Sequence, residues 1–302
     1  MNEIEKIQNQ PEMIRIVRAF IVIYNRSKQY QAIALLVTML LPILGGIAAV
    51  FKPDLKPFIA IFALSFGFID ALLIDRSHKV RMKTAAKLQE EFDCHVLSLE
   101  WNKFLVGRAV DPEDVARESS CKLSASDERR LTDWYPTVAK ELPIHLARII
   151  CQRTNLWYDR ELRTRYRNII SWSIALIVIA STVVSSTVGF TVTSFVITIL
   201  VPISPALNWA IREYYRQTDA MKTLENLKSE IEKLWDKALG NATVEEVTEA
   251  SRELQDAIFA HRASSPLIFN WLYKPLRPKM ESNMNSGAEY WVKQAKTAKG
   301  IN

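Results

Sequence analysis

Residues 142–167 read LPIHLARIICQRTNLWYDRELRTRYR and run directly into residues 169–190, IISWSIALIVIASTVVSSTVGF. The first part carries six arginines (Arg148, Arg153, Arg160, Arg163, Arg165 and Arg167) among Trp157, Tyr158 and Tyr166. The second carries no charge and is long enough to cross a hydrocarbon core of ~30 Å at ~1.5 Å per residue. A basic, aromatic helix therefore leads straight into a candidate membrane span, and the rest of the chain is read as what surrounds that junction.

Three further stretches share the apolar character. Residues 32–51 (AIALLVTMLLPILGGIAAVF) contain no charge. Residues 57–74 (PFIAIFALSFGFIDALLI) contain one acid, Asp70, and follow the first stretch after the polar turn KPDLK. Residues 191–209 (TVTSFVITILVPISPALNW) follow residues 169–190 across a small-residue turn around Ser185, Ser186, Thr187 and Gly189. Pro202 and Pro205 predict a kink there, tolerated in a bilayer when neighbours satisfy the freed carbonyls. The expectation is an all-α membrane protein, with four transmembrane helices as two hairpins and a helical cytoplasmic domain. Two hairpins buried in a soluble core are the alternative, and four runs of span length argue against it.

Bulk composition agrees. The chain has 302 residues, 49% of them hydrophobic and 24% charged, which fits if the two kinds are segregated along it. Of 39 Lys and Arg, 18 fall in residues 75–168 and 14 in residues 212–302, while the turn between the third and fourth stretches has none. The distribution predicts both termini and the middle region on the cytoplasmic side of the membrane. The expected segments are 1–31, an amphipathic helix; 32–74, the first hairpin; 75–168, a cytoplasmic helical region; 169–211, the second hairpin; and 212–302, a second cytoplasmic helical region. The net charge of +6 favours anionic partners. Cys94, Cys121 and Cys151 are scattered, as in a reducing compartment. The adjacent pair Cys94-His95 is a poor metal site, better explained by burial in a helix.

Helical periodicity covers most of the polar regions. Ile14, Val17, Ile21 and Tyr24 form a stripe after Pro11, either lying on the membrane surface or docking on the cytoplasmic domain, the second favoured because the helix must lead into the first span. Val80, Ala85, Leu88, Phe92 and Val96 form another, ending at Trp101-Asn102. Residues 126–134 are expected to restart helix before the break at Tyr135-Pro136. Leu224, Leu227, Ile231, Leu234 and Ala238 make a coiled-coil-like or bundle seam. Gly240 stops that helix, and Thr243 with Glu246 forms a capping box for the next. Pro275 and Pro278 predict a packed turn, with a last helix over 280–296.

Motifs for phosphate-cradling loops, dinucleotide binding, serine hydrolases and zinc proteases are missing, and nothing specifies an enzyme. Adjacent acids such as Glu90-Glu91 are read as solvated helix faces. Arg153 and Trp157 are neighbours one turn apart, as are Asp159 and Arg163. Arginine forks bind phosphate and aromatic rings stack on bases, so this stretch is a candidate site for a nucleotide or other anion. An intrahelical Asp159–Arg163 pair plus positive charge at a membrane entry is the plainer reading, favoured by the pattern alone. Asp70 is a candidate intramembrane polar residue, or one that pairs or snorkels at the interface.

Several stretches resemble the SMODS-associated four-transmembrane effector family. They are IQNQ (7–10), AAKLQEEFDCHVLSLEWN (85–102), DWYP (133–136), IICQRTNLWYDRELRTRY (149–166), RQTDA (216–220) and RELQDAIFAHR (252–262). The resemblance implies a pore-forming effector of cyclic-oligonucleotide anti-phage signalling, with a cyclic di- or trinucleotide as regulatory ligand. It implies no other cofactor or metal, and as partners the lipid bilayer and other copies of the chain rather than DNA or RNA. It supplies no set of ligand residues. On chemistry, Arg153, Trp157, Arg160 and Arg163 are the first candidates. Trp101, Asn102, Trp134 and Tyr135, at breaks between helices, are the second. A channel or transporter gated by another stimulus, and a non-conducting scaffold using the 224–238 seam, are the rival functions.

Overall fold

A computed structural model describes residues 2–51, 54, 58, 61 and 75–301. Among them every regular element is helical. In chain order these are α1 (Ile4–Gln8), α2 (Pro11–Phe51), α3 (Asp75–Val96), α4 (Lys103–Val106), α5 (Pro112–Ser119) and α6 (Ala125–Glu128). A 3-10 turn over Thr137–Glu141 precedes α7 (Ile144–Val188), and α8 (Val192–Phe195) passes through a π segment (Val196–Leu200) into α9 (Val201–Leu239). Last come α10 (Val244–Ser264) and α11 (Asn270–Lys299).

The chain divides into two compact units. The first comprises Met1–Ser27, Lys79–Leu162 and Ala220–Asn302. Its core takes the inward stripes of several helices. From α2 come Met13, Ile16, Val17, Phe20 and Ile21; from α3 Ala85, Leu88, Phe92 and Val96; from α7 Leu146, Ile149, Ile150 and Leu156. Each large apolar side chain withdrawn from water contributes ~1.5–3 kcal/mol before entropy is counted. The start of α2 thus docks as its periodicity predicts. The seam of α9 also faces this core, through Leu224, Ile231, Leu234 and Ala238. The capping box is present: Thr243 Oγ1 accepts from the Glu246 amide at 3.2 Å, and the Thr243 amide donates to Glu246 at 2.8 Å.

Three expectations change. Val80 is exposed, so the α3 stripe starts at Ala85. The helix expected over 126–134 is only one turn, α6, followed by turns and the DWYP segment. Pro275 and Pro278 lie inside α11, which starts at Asn270. Each proline removes one helical hydrogen bond. Burial of Leu272, Tyr273 and Met280 on the same helix outweighs that loss.

The second unit comprises Lys28–His78 and Arg163–Asp219. Its described apolar side chains point largely outward, among them Ile33, Leu36 and Leu44 of α2, Trp172, Leu176 and Val183 of α7, and Ile197 and Val201. An exposed apolar surface of this kind marks a membrane or protein contact. Among the described residues α7 is the helix long and apolar enough to cross a membrane, and only 6% of its most apolar window is buried. The first expected span, residues 32–51, is helical throughout as the end of α2. Most of the second, including Asp70, lies outside the described residues.

The turn after α7 is built on Gly189, whose φ of +73° suits a residue without a side chain. Its amide donates to the Ser185 carbonyl at 3.1 Å. Within α9, Pro205 cannot donate to the Val201 carbonyl one turn back, and Ser204 Oγ donates to that carbonyl instead at 2.8 Å. This is the local repair that lets proline stay in an apolar helix.

Candidate functional site

One wall of the candidate site is set by the phase of α7. Ile149, Ile150 and Leu156 point into the core, which leaves Arg153 and Trp157, one turn apart, along the core's margin. The facing wall is α11, where Asn283, Gly287, Tyr290 and Trp291 recur at helical spacing. Between them lies an open cleft of about 200 Å³. A Cβ placed on Gly287 would meet nothing within 4 Å, so the missing side chain keeps this wall open. Tyr290 stands exposed at the lip.

Arg153 dominates the cleft electrostatically. Its guanidinium carbon lies 4.3 Å from the centre of the Trp291 ring, a cation–π geometry. Trp291 is itself held edge-on against Trp235, with ring centres 5.3 Å apart. Arg153 Nη2 is 3.9 Å from Glu232 Oε1 on α9, and its Nε is buried without a hydrogen-bond partner. Burial lowers the Arg153 pKa, and the Glu232 charge opposes that shift. The site therefore offers a poorly solvated cation on an aromatic face, with the Asn283 amide able both to donate and to accept. That chemistry suits a planar heterocycle attached to an anionic group.

One residue along α7, a buried polar network fixes the helix. Glu90 and Asp93 sit one turn apart on α3, almost wholly buried. Asp93 accepts from Tyr135 Oη at 2.6 Å, from Arg262 Nη1 at 2.6 Å and from Gln255 Nε2 at 2.8 Å. Glu90 accepts from Arg252 Nη2 at 2.6 Å and from Gln255 at 2.8 Å. Asn155 of α7 donates to Tyr135 Oη at 2.9 Å, and Gln152 donates to the Ser251 carbonyl at 2.9 Å. Two carboxylates thus meet two guanidiniums, and helices α3, α7 and α10 are cross-linked around the DWYP segment. Burial raises the Glu90 carboxyl above its ordinary value, the nearby Asp93 adds to this, and Arg252 and Gln255 pull the other way. The same burial, helped by Glu90, pushes the Cys94 thiol up to about 12, which keeps it protonated and unreactive.

The network corrects the reading of Glu90 as a solvated face. A single helix shows only its own charges, and the partners Arg252 and Arg262 lie more than 160 residues away in the chain. His95, expected to be buried beside Cys94, is exposed, with Nδ1 2.8 Å from the Glu91 carbonyl.

The predicted site residues separate into groups. Arg153 and Trp157 line the cleft. Arg160 instead donates to Glu225 at 3.0 Å. Arg163 belongs to the second unit, is buried, and donates to Gln217 at 2.8 Å. Trp101 Nε1 donates to the Gly107 carbonyl at 2.9 Å. Asn102 caps α4 by accepting from two amides, and donates to Asp256 at 2.8 Å. Trp134 packs edge-on against Phe20 with ring centres 5.2 Å apart. Tyr135 is fully buried. None of these last four lines the cleft. The α11 wall lies within the last helix expected over 280–296, but its residues were not among the expected site residues. The usable signal was Gly287 followed by Tyr290-Trp291 at helical spacing.

The stretches that suggested a family meet in this region. Residues 85–102 give Glu90 and Asp93, DWYP gives Tyr135, residues 149–166 give Gln152, Asn155 and the cleft wall, and residues 252–262 give Arg252, Gln255 and Arg262. Among the described residues no group of three or more His, Cys, Asp or Glu is placed to hold a metal ion. No solved structure matches the chain. A Bacillus cereus (strain VD146) protein named a probable CBASS effector molecule is 28% identical over 294 residues, covering 92% of this chain and 94% of its own length. The SMODS-associating 4TM effector domain matches residues 2–291. By that match, which takes in both the polar network and the cleft, the chain belongs to the SMODS-associating 4TM effector family.

Proposed function

We propose that the protein is a membrane effector of bacterial anti-phage defence, switched on when its cytoplasmic unit binds a cyclic di- or trinucleotide. In this reading each chain crosses the inner membrane four times, with both termini in the cytoplasm. Several copies assemble, because four helices alone hardly line an aqueous path. Ligand binding rearranges the spans, opens a pore or breaches the bilayer, and stops growth.

The observation that carries the reading is the construction of α7. Arg153 and Trp157 lie near its start, and the same unbroken helix continues as the apolar, largely unburied window of the second unit. Binding in the cleft acts on the element that carries the membrane segment. A ligand shifts the closed–open balance only by its differential affinity for the two states, and a wall borne by α7 provides a place for that difference. Family membership and the name of the Bacillus cereus relative support the same reading. The scaffold rival loses support, since the 224–238 seam is largely buried in the chain's own core.

The cleft volume refines the binding mode. At about 200 Å³ it falls below the ~300–1,000 Å³ common for whole small-molecule sites, so a cyclic oligonucleotide seated there extends beyond it. The test is dye release from liposomes holding the full chain, measured against a panel of cyclic di- and trinucleotides. Release with one class of ligand is expected. Arg153→Ala and Trp157→Ala should insert normally and need more ligand. Release that ignores both substitutions would refute the cleft, and release by no nucleotide would refute the gating.

A further inference from the structure

Within the first unit, α7 and α9 are tied by two ion pairs in antiparallel register. Arg153 faces Glu232 at 3.9 Å and Arg160 faces Glu225 at 3.0 Å, the partners being seven residues apart on each helix. Seven residues are close to two helical turns, so the pairs are successive rungs on one stripe. The rungs are unequal. Arg160 makes hydrogen bonds to Glu225, whereas Arg153 stands at the outer limit of an ion pair. Glu232 also has a second cation, Lys228, at 3.4 Å and one turn away on its own helix.

Arg153 is correspondingly under-used. Its Nε is buried without an acceptor, and its guanidinium lies on the Trp291 face at the wall of an open cleft. Removal from water disfavours its charge more than Glu232 restores it. A planar, bidentate donor in that position binds a phosphate better than it binds a carboxylate held 3.9 Å away.

We propose that Glu232 is an internal competitor of the ligand: it is shared between Arg153 and Lys228 in the resting protein, and a phosphate entering the cleft takes Arg153 over while Glu232 keeps Lys228. The inference rests on the cleft being the nucleotide site and adds how its occupation is felt by α9. No charge is stranded in the exchange, because phosphate pairs with Arg153 and Glu232 with Lys228. The upper rung opens while Arg160–Glu225 stays closed as a pivot. Both helices run on into the second unit, α7 to Val188 and α9 back to Val201. Loss of one rung therefore loosens the pair of elements that bear the second apolar hairpin.

The experiment measures the Kd of AMP, as a single-nucleotide probe, and of the cyclic panel, by calorimetry on the detergent-solubilised full chain. Glu232→Gln removes the competitor and should tighten binding about two- to fivefold, the range of a partly exposed ion pair. Lys228→Met removes the substitute partner and should weaken binding by a similar factor. Opposite signs from two neighbours on one helix are not what general disruption produces. Equal Kd values in all three proteins, shifts in the same direction, or no probe bound by any of them would overturn the competition. Tighter AMP binding by Glu232→Gln in a protein that no cyclic oligonucleotide opens would uphold the competition and sink the effector reading. Cyclic-nucleotide release with a Kd indifferent to Glu232 and Lys228 would do the reverse.

Discussion

Substituting Arg262 by methionine tests the idea that the buried network holds α3, α7 and α10 together. The change keeps most of the side-chain volume and removes the charge. Asp93 then loses a 2.6 Å charged donor but keeps Tyr135 Oη at 2.6 Å and Gln255 Nε2 at 2.8 Å. Glu90 remains one turn away with its own cation, Arg252. Breaking a buried ion pair costs ~3–5 kcal/mol. The two surviving hydrogen bonds place this case near the low end, at about 3 kcal/mol. For a unit of this size that corresponds to a fall in Tm of about 6–12 °C. The assay is thermal unfolding followed by circular dichroism in detergent, with Asp93→Asn and the double variant alongside. Removing both charges should recover at least ~1 kcal/mol relative to the sum of the single changes. A Tm within about 2 °C of the parent for Arg262→Met, or strictly additive single changes, would refute the reasoning.

Four further outcomes follow from the same geometry. Gly287→Ala should raise stability by up to ~1 kcal/mol in thermal unfolding, because the added Cβ meets no atom within 4 Å and favours helix. Gly287→Trp should fold as well as the parent yet abolish nucleotide-dependent dye release, since its side chain occupies the cleft. Thr243→Ala should cost ~1 kcal/mol in denaturant unfolding by removing the capping box. Glu90→Gln should alter the pH dependence of Tm. The folded Glu90 carboxyl is raised above 4.5, so its contribution is present below 4.5 and lost as pH rises through the raised value. The parent should therefore lose ground to Glu90→Gln over that rise, and parallel Tm curves would contradict the assignment.

Much of the fold was legible because it is written in short-range periodicity. The α2, α3 and α9 stripes, the capping box over Thr243–Glu246 and the Gly189 turn need only neighbours within a turn or two to be recognised. The cleft was half legible for the same reason. Arg153 and Trp157 share one helix face, while Gly287, Tyr290 and Trp291 belong to the last expected helix, and no local pattern says that it packs against theirs. Arg160 and Arg163 look equivalent to Arg153 in sequence, and only their acceptors, Glu225 and Gln217, tell them apart. The polar network was illegible as a network, since each member is an ordinary helix residue until a distant segment supplies its counter-charge. Local pattern proposes the elements, and tertiary partners decide which polar residue is structural and which is available.

The unbroken course of α7 turns spacing along the chain into an angle. Each residue advances the helix by about 100°, so within the second unit the direction faced by Trp172 or Leu176 is tied to that of the buried Arg163 by the number of residues between them. One residue inserted after Arg163 would swing every later side chain of α7 by about a quarter-turn or more, at almost no cost in length. Seven would leave their azimuth nearly unchanged while moving them about 10 Å along the axis. The number of residues between Arg163 and Trp172 thus sets which way the apolar window faces, whatever their identities.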